Sequence, residues 1–304
     1  MRSLRLAAVG FLALVVSSCI FARQQNTARP LHAALSAKLT SDLNRTAASY
    51  DGVMGIFVKD LTSGETFAVN ADTIFPQASS IKIPILIELM RQAQAGKLNL
   101  AERVEIHRSA LVGGSGVLQF FSEGGSAVSL RDLAVLMVVL SDNSATNLII
   151  DRVGMENVNT MLAGLGLDRT VLARKMIDIA AEQADRENRS TPRQMATLVE
   201  SLNAGKLLDA EHTKMALEIL EYPKDSALRA GVPPATTVAE KPGSLSGAQC
   251  DSGVVLLEGR PYVISVMTTF NTIDGGAAIT GVSQRVFSYF DRLAHANIYG
   301  VHVR

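Results

Sequence analysis

Ser79 and Lys82 stand three residues apart, where a loop ending in Phe75-Pro76-Gln77-Ala78 meets an apolar stretch from Ile83 to Met90. If Ser79 opens a helix there, positions i and i+3 share a face and the Lys82 amine reaches the Ser79 hydroxyl. That pairing is a nucleophile beside a base. Apolar surroundings disfavour the ammonium form, and a lysine that has shed its proton can take one from a hydroxyl. The positive end of the helix dipole would support negative charge developing nearby. Alone, the pair equally describes a capping serine followed by an ordinary lysine, because Ser-x-x-Lys is a common string. Two further polar clusters keep it company: Ser141-Asp142-Asn143, a short turn between two apolar helical segments, and Lys241-Pro242-Gly243-Ser244 at the end of a β segment.

In order and rough separation these three clusters resemble the SxxK, SDN and KTG signature of class A β-lactamases and penicillin-binding proteins. The likeness runs from about Leu31 to the C-terminus. The resemblance implies an exported serine hydrolase that opens β-lactam rings through an acyl-enzyme. In it Ser79 attacks the lactam carbonyl, Lys82 or a water-linked carboxylate removes its proton, and Ser141 relays a proton to the departing nitrogen. Asn143 would hold Lys82 and the substrate amide, and Lys241 would place positive charge near Ser141 and the substrate carboxylate. Gly243 and Ser244 complete the substrate-binding edge, with the backbone N–H groups of Ser79 and Ser244 as the oxyanion hole. Arg229, twelve residues before Lys241, would pair with Glu240 as a structural ion pair.

The chain departs from that pattern in three places. Pro242 stands where the family normally has Thr or Ser, so a hydroxyl for the substrate carboxylate is lost, although Ser244 could substitute. Proline also removes a backbone donor and therefore demands an edge strand. In the loop before Thr191-Pro192 the family places Arg-x-Glu, whose glutamate activates the deacylating water. Here the residues are Arg174-Lys175-Met176, and a thioether cannot act as a base. Asp178 and Glu182 lie nearby as possible replacements, although loop carboxylates are mostly solvated surface charges. Asn188 occupies the place of an aspartate that ties this loop to its arginine.

The elements that must position these residues are readable in outline. Apolar residues at Leu31, Ala34, Leu35, Leu39 and Leu43 mark a surface helix through Ala48. Val53 to Val58 and Thr66 to Val69 form a hairpin around Thr62-Ser63-Gly64-Glu65. Pro84 falls just past the positions where a missing N–H is harmless, which predicts a bent or displaced second turn in the Ser79 helix. Gly113-Gly114-Ser115-Gly116 lacks the Gly-Lys-Ser/Thr of a phosphate loop and reads as a flexible rim. Ser129 with Asp132 caps a helix through Leu140, and helices follow near 145–153, 156–165, 191–202 and 209–221. Three strands, Thr236 to Lys241, Gly253 to Leu257 and Tyr262 to Thr269, precede a closing amphipathic helix through Leu293. The expected fold is therefore α+β: an antiparallel sheet built from both chain ends (31–75 and 223–304), covered by the terminal helices, with an all-α subdomain (76–222) inserted.

The N-terminus reads as an export signal over residues 1–18, with Arg2 and Arg5 before an apolar run from Leu6 to Val16. Val16-Ser17-Ser18-Cys19 resembles a lipobox, which would attach lipid at Cys19 and leave 19–30 as a tether. Cleavage after Ala22 is the competing reading. Either way the expected location is outside the cytoplasm, in the periplasm and possibly lipid-anchored. With 29 Lys+Arg against 29 Asp+Glu, no nucleic-acid-binding surface is implied. His32, His107, His212, His295 and His302 show no metal-ligand spacing and none falls in the three clusters, so neither a metal, another cofactor nor a Ser-His-Asp triad is expected. A penicillin-binding peptidase or esterase acting on peptidoglycan-like substrates, and a non-catalytic lipoprotein that binds wall peptides, are the alternatives to a β-lactamase.

Overall fold

The computed structural model describes residues 30–122 and 125–302. The signal segment, Cys19 and nearly all of the tether lie outside the described residues. An amphipathic helix, α1 (30–48), leads into a hairpin of β1 (Val53–Asp60) and β2 (Thr66–Val69), closed by a turn in which Gly64 has φ +79°. The chain crosses β3 (Phe75–Pro76) and a single 3-10 turn, Ala78–Ile81, before α2 (Lys82–Gln94). Pro84 is thereby the third residue of the α-helix, where its absent N–H leaves no intrahelical bond unmade. The expected bend in the second turn is replaced by a tightened turn ahead of the helix. A 3-10 turn eclipses side chains three residues apart, which sets Lys82 over Ser79.

The inserted region continues through β4 (Arg103–Glu105), β5 (Ala127–Ser129), α3 (Leu130–Val139), α4 (Asn143–Val153), α5 (Met155–Gly164) and α6 (Ile179–Gln183). It then passes β6 (Arg189–Ser190), α7 (Pro192–Asn203) and α8 (Ala210–Glu221). Side-chain oxygens start these helices where the sequence places them: Ser129 accepts from the Asp132 N–H, and Thr191 from that of Gln194 with Pro192 at the first helical position. Every residue of α2 from Lys82 to Met90 is buried, so this helix is the centre about which the others pack.

After a short α9 (Ala227–Ala230), the chain returns to the sheet with β7 (Val238–Leu245), β8 (Ala248–Val255) and β9 (Tyr262–Thr269), and ends in α10 (Gly276–His295). The five long strands form one antiparallel sheet in the order β2-β1-β9-β8-β7. One face is covered by α1 and α10, through Leu39 and Leu43 on one helix and Val282, Val286 and Phe290 on the other. Phe290 stacks on Tyr262 of β9 with ring centroids 4.5 Å apart. The opposite face packs on α7 and the helical core, so the inserted region also supplies the sheet's second cover.

The strands around Lys241 are longer than the sequence indicates. β7 runs on through Pro242, Gly243 and Ser244, turns at Ser246-Gly247 (Gly247 φ +76°) and returns as β8 from Ala248. Lys241 is thus in mid-strand, not at a strand end. β7 is an edge, as Pro242 requires, with Pro242 opposite Asp251.

Candidate active site

The 3-10 turn, the break between α3 and α4, and the edge strand β7 meet at one cleft. Lys82 Nζ lies 3.0 Å from Ser79 Oγ, 3.0 Å from Ser141 Oγ, 2.8 Å from the Ser141 carbonyl oxygen and 3.1 Å from Asn143 Oδ1. Its side chain is fully buried, while Ser79 and Ser141 are half-buried and face the cleft. Burial, and then the neighbouring positive charge of Lys241, hold the Lys82 amine well below the usual lysine range, against a smaller opposing pull from Asp142. An ammonium has three protons for these four neighbours. A neutral amine donates two and can accept the Ser79 or Ser141 hydroxyl proton on its lone pair.

From the other side, Lys241 Nζ donates to Ser141 Oγ at 3.2 Å and to the Pro242 carbonyl at 2.8 Å. Burial brings its pKa down to about 8, against the pull of Glu240 and Asp251 behind it. Ser79, Lys82, Ser141 and Lys241 therefore form an unbroken hydrogen-bonded chain. Glu240, next to Lys241, is fully buried and receives Lys224 at 3.2 Å and Arg229 at 3.3 Å, which agrees with the structural role expected of Arg229.

The nucleophile turn is stitched to β7 through backbone. Ser80 Oγ donates to the Lys241 carbonyl at 2.8 Å, and the buried Cys250 thiol donates to that of Gln77 at 2.9 Å. Burial pushes this thiol up to about 12, so it is an inert packing group. A Cβ on Gly243 would lie 2.7 Å from Ser79 N and 2.8 Å from Gln77 O; only glycine lets the two backbones come this close. Ala78 (φ +43°) and Ser141 (φ +52°) both occupy the left-handed region without being glycine, and such strain gathers at functional positions.

Sequence reasoning did not identify Asp142 as the organiser of the rim. Its carboxylate caps α4 through the Ala145 N–H at 2.9 Å and accepts the N–H groups of Val117 and Leu118 at 2.7 and 2.8 Å. Ser144 Oγ accepts from the Val112 N–H, and Asn143 Nδ2 donates to the Gly113 carbonyl. The glycine-rich stretch is a rim, as expected, but a pinned one. The signal available in the sequence was an N-capping aspartate, which says nothing of its second carboxylate oxygen.

The loop carrying Met176 is held by Asn147, whose amide bonds the Met176 backbone N–H at 2.8 Å and carbonyl at 3.1 Å. Asn188 ties the loop base by accepting from the Ala173 and Arg174 N–H groups and donating to the Arg174 carbonyl. The Arg174 guanidinium pairs with Glu187 at 2.9 Å instead of with residue 188. Asp178 caps α6 through the Ala181 N–H, and Glu182 lies 3.7 Å from Arg174. Neither lines the Ser79 cleft. Met176 is buried in the helical core, and Ile177 Cδ1 would lie 3.4 Å from a Cβ on Gly114, a position 2.8 Å from Asn143 Nδ2. The loop thus brings apolar groups to the rim beside Asn143. Among the described residues no three His, Cys, Asp or Glu side chains converge as metal ligands.

The chain matches the family model described as "Beta-lactamase enzyme family" over residues 38–290. It is 30% identical to an imipenem-hydrolyzing β-lactamase of Enterobacter cloacae over 273 residues, 86% of this chain and 89% of that protein. Among solved structures it is similar to the acyl-enzyme complex of a PBP-A mutant with penicillin G (TM-score 0.77, 29% identity, 84% of this chain and 97% of that one). It is equally similar to an ancestral class A β-lactamase (TM-score 0.77, 27% identity, 83% and 100%). A serine and a neutralised lysine on the central helix, joined through a second serine to a lysine on the sheet edge, make acyl transfer the chemistry of this cleft, and the chain belongs to the family of class A β-lactamases and penicillin-binding serine hydrolases.

Proposed function

We propose that this protein is an exported serine hydrolase that reacts with β-lactams at Ser79 and opens the ring as a slowly turning-over β-lactamase. The observation that carries this reading is the hydrogen-bonded chain from Ser79 through Lys82 and Ser141 to Lys241. Lys82 as a neutral amine takes the Ser79 proton while Oγ attacks the lactam carbonyl. Ser141, between the two lysines, passes a proton to the departing nitrogen as the C–N bond breaks, and Lys82 restores it. The backbone N–H groups of Ser79 and Ser244 are the oxyanion donors in this scheme, supported by the close approach of Gly243 to Ser79 N. The lipid anchor at Cys19 and the periplasmic location belong to the same proposal and rest on the N-terminal sequence.

Deacylation is the slow step in this reading. No carboxylate takes the place of the family's water-activating glutamate, because Met176 stands there and Asp178 and Glu182 are engaged elsewhere. The same observation favours a second reading, a penicillin-binding peptidase or esterase whose natural acyl donor is peptidoglycan-like. Mixing the protein with a chromogenic cephalosporin, and following its intact mass after benzylpenicillin, separates the two. Steady colour with at most a transient adduct on Ser79 supports the lactamase, and a lasting adduct without turnover supports the peptidase. Absence of both removes the acylation reading. Met176→Glu should shorten the adduct lifetime, and an unchanged lifetime would exclude the missing carboxylate as the cause of slow release.

A further inference from the structure

The cleft, about 530 Å³, does not stop at Lys241. It continues past Pro242 into an arm bounded by β8, the start of α9 and the first turn of α10, lined by Asp225, Ser226, Gln249, Asp251, Asp274 and Thr280. Three carboxylates face this arm, and Lys241 is the only cation lining any part of the cleft, its ammonium already donating to Ser141 Oγ and the Pro242 carbonyl. The N-terminus of α10 offers an anion no free place, because Asp274 already accepts the Gly276 N–H.

The unpartnered atoms in the arm point the same way. Asp251 is fully buried; its Oδ2 accepts from Ser226 Oγ at 2.7 Å and the Leu228 N–H at 3.0 Å, while Oδ1 has no donor. Gln249, oriented by donating its amide to Asp274, leaves Oε1 without a donor. A buried acceptor left unpaired is costly, and the ligand chemistry that relieves it is an N–H group.

We infer that the arm beyond Pro242 receives an N–H-bearing group on the leaving side of the acyl donor, an amide or an ammonium, and discriminates against a carboxylate there. This rests on the acyl-transfer reading above and assigns the substrate class for the same site. Like charges at this spacing in a partly desolvated cleft disfavour an anion by about tenfold.

The test uses three thioesters of one acyl group whose thiols end in a carboxylate, an amide or an ammonium, with thiol release followed on the whole protein. The amide and ammonium esters should react at least about tenfold faster in kcat/KM than the carboxylate ester. Gln249→Arg, which places a guanidinium in the arm, should reverse the order by raising the carboxylate ester and depressing the ammonium one. Asp251→Asn, nearly isosteric and still able to accept from Ser226 and Leu228, should narrow the difference in an otherwise folded protein. A carboxylate ester that reacts as fast as the others in the unaltered protein overturns the inference while leaving acylation at Ser79 standing. No release from any of the three withdraws both.

Discussion

Lys82 is the residue on which the chemistry turns, and its state is decided by solvation. A fully buried amine beside Lys241 gains nothing from water and little from its neutral neighbours, so the proton leaves at a pH where a surface lysine keeps it. Lys241 is shifted less, to about 8, because Glu240 and Asp251 lie behind it. The signs then follow. Acylation needs Lys82 neutral and Lys241 charged, so its rate climbs with pH through the lowered Lys82 value and falls as pH passes about 8. Measuring the acylation rate by intact mass across that range should give a bell with its alkaline limb near 8. Lys82→Arg, which keeps the charge but cannot shed it, should slow acylation by about 10²–10⁴-fold without loss of the folded state.

At the scale of elements, the site depends on two backbone approaches. The first is β7 against the 3-10 turn at Gly243. Gly243→Ala would drive a methyl into Ser79 N and Gln77 O, neither of which is the free end of a side chain, so the strand must retreat. Acylation should be lost even where circular dichroism shows a folded protein. The second is the rim against the start of α4. Asp142→Ala strands three backbone N–H groups, each worth about 1–3 kcal/mol if left unpaired. The midpoint of thermal unfolding should drop, and limited proteolysis should cut first between residues 111 and 121. A rim that stays resistant would show that Asp142 is only a helix cap.

For the molecule as a whole, both faces of the sheet are covered and the cleft opens at the β7 edge, so stability and chemistry can be separated. Phe290 packs on Tyr262 and Tyr289 in the cluster formed with α1 and α10, on the face away from the helical core. Phe290→Ala should cost about 3–5 kcal/mol and lower the unfolding temperature. The acylation rate measured well below that temperature should stay unchanged. A matching loss of rate would mean that the terminal helices also set the geometry of the cleft. Cys250 is the one cysteine among the described residues and has no disulfide partner, so packing of this kind carries the fold.

The sequence by itself determined the local statements: the caps at Ser129 and Thr191, the hairpin at Gly64, the helix carrying Lys82, the edge position of β7 from Pro242, and the absence of a glutamate at Met176. Each depends on residue type and short-range spacing, where propensity and capping act. It identified Ser79, Lys82, Ser141, Asn143 and Lys241 as one set only by likeness to a known pattern, since nothing local links positions 79 and 241. Tertiary structure alone decided that β7 continues through a Pro-Gly pair that reads as a breaker, because the strand takes its hydrogen bonds from β8 and its glycine from the need to meet the Ser79 turn. It also decided that Asp142 serves the rim as well as its helix, and that three carboxylates share the cleft with a single lysine. Those facts are sums over distant residues, and burial and charge at a point in space have no counterpart in the order of the chain.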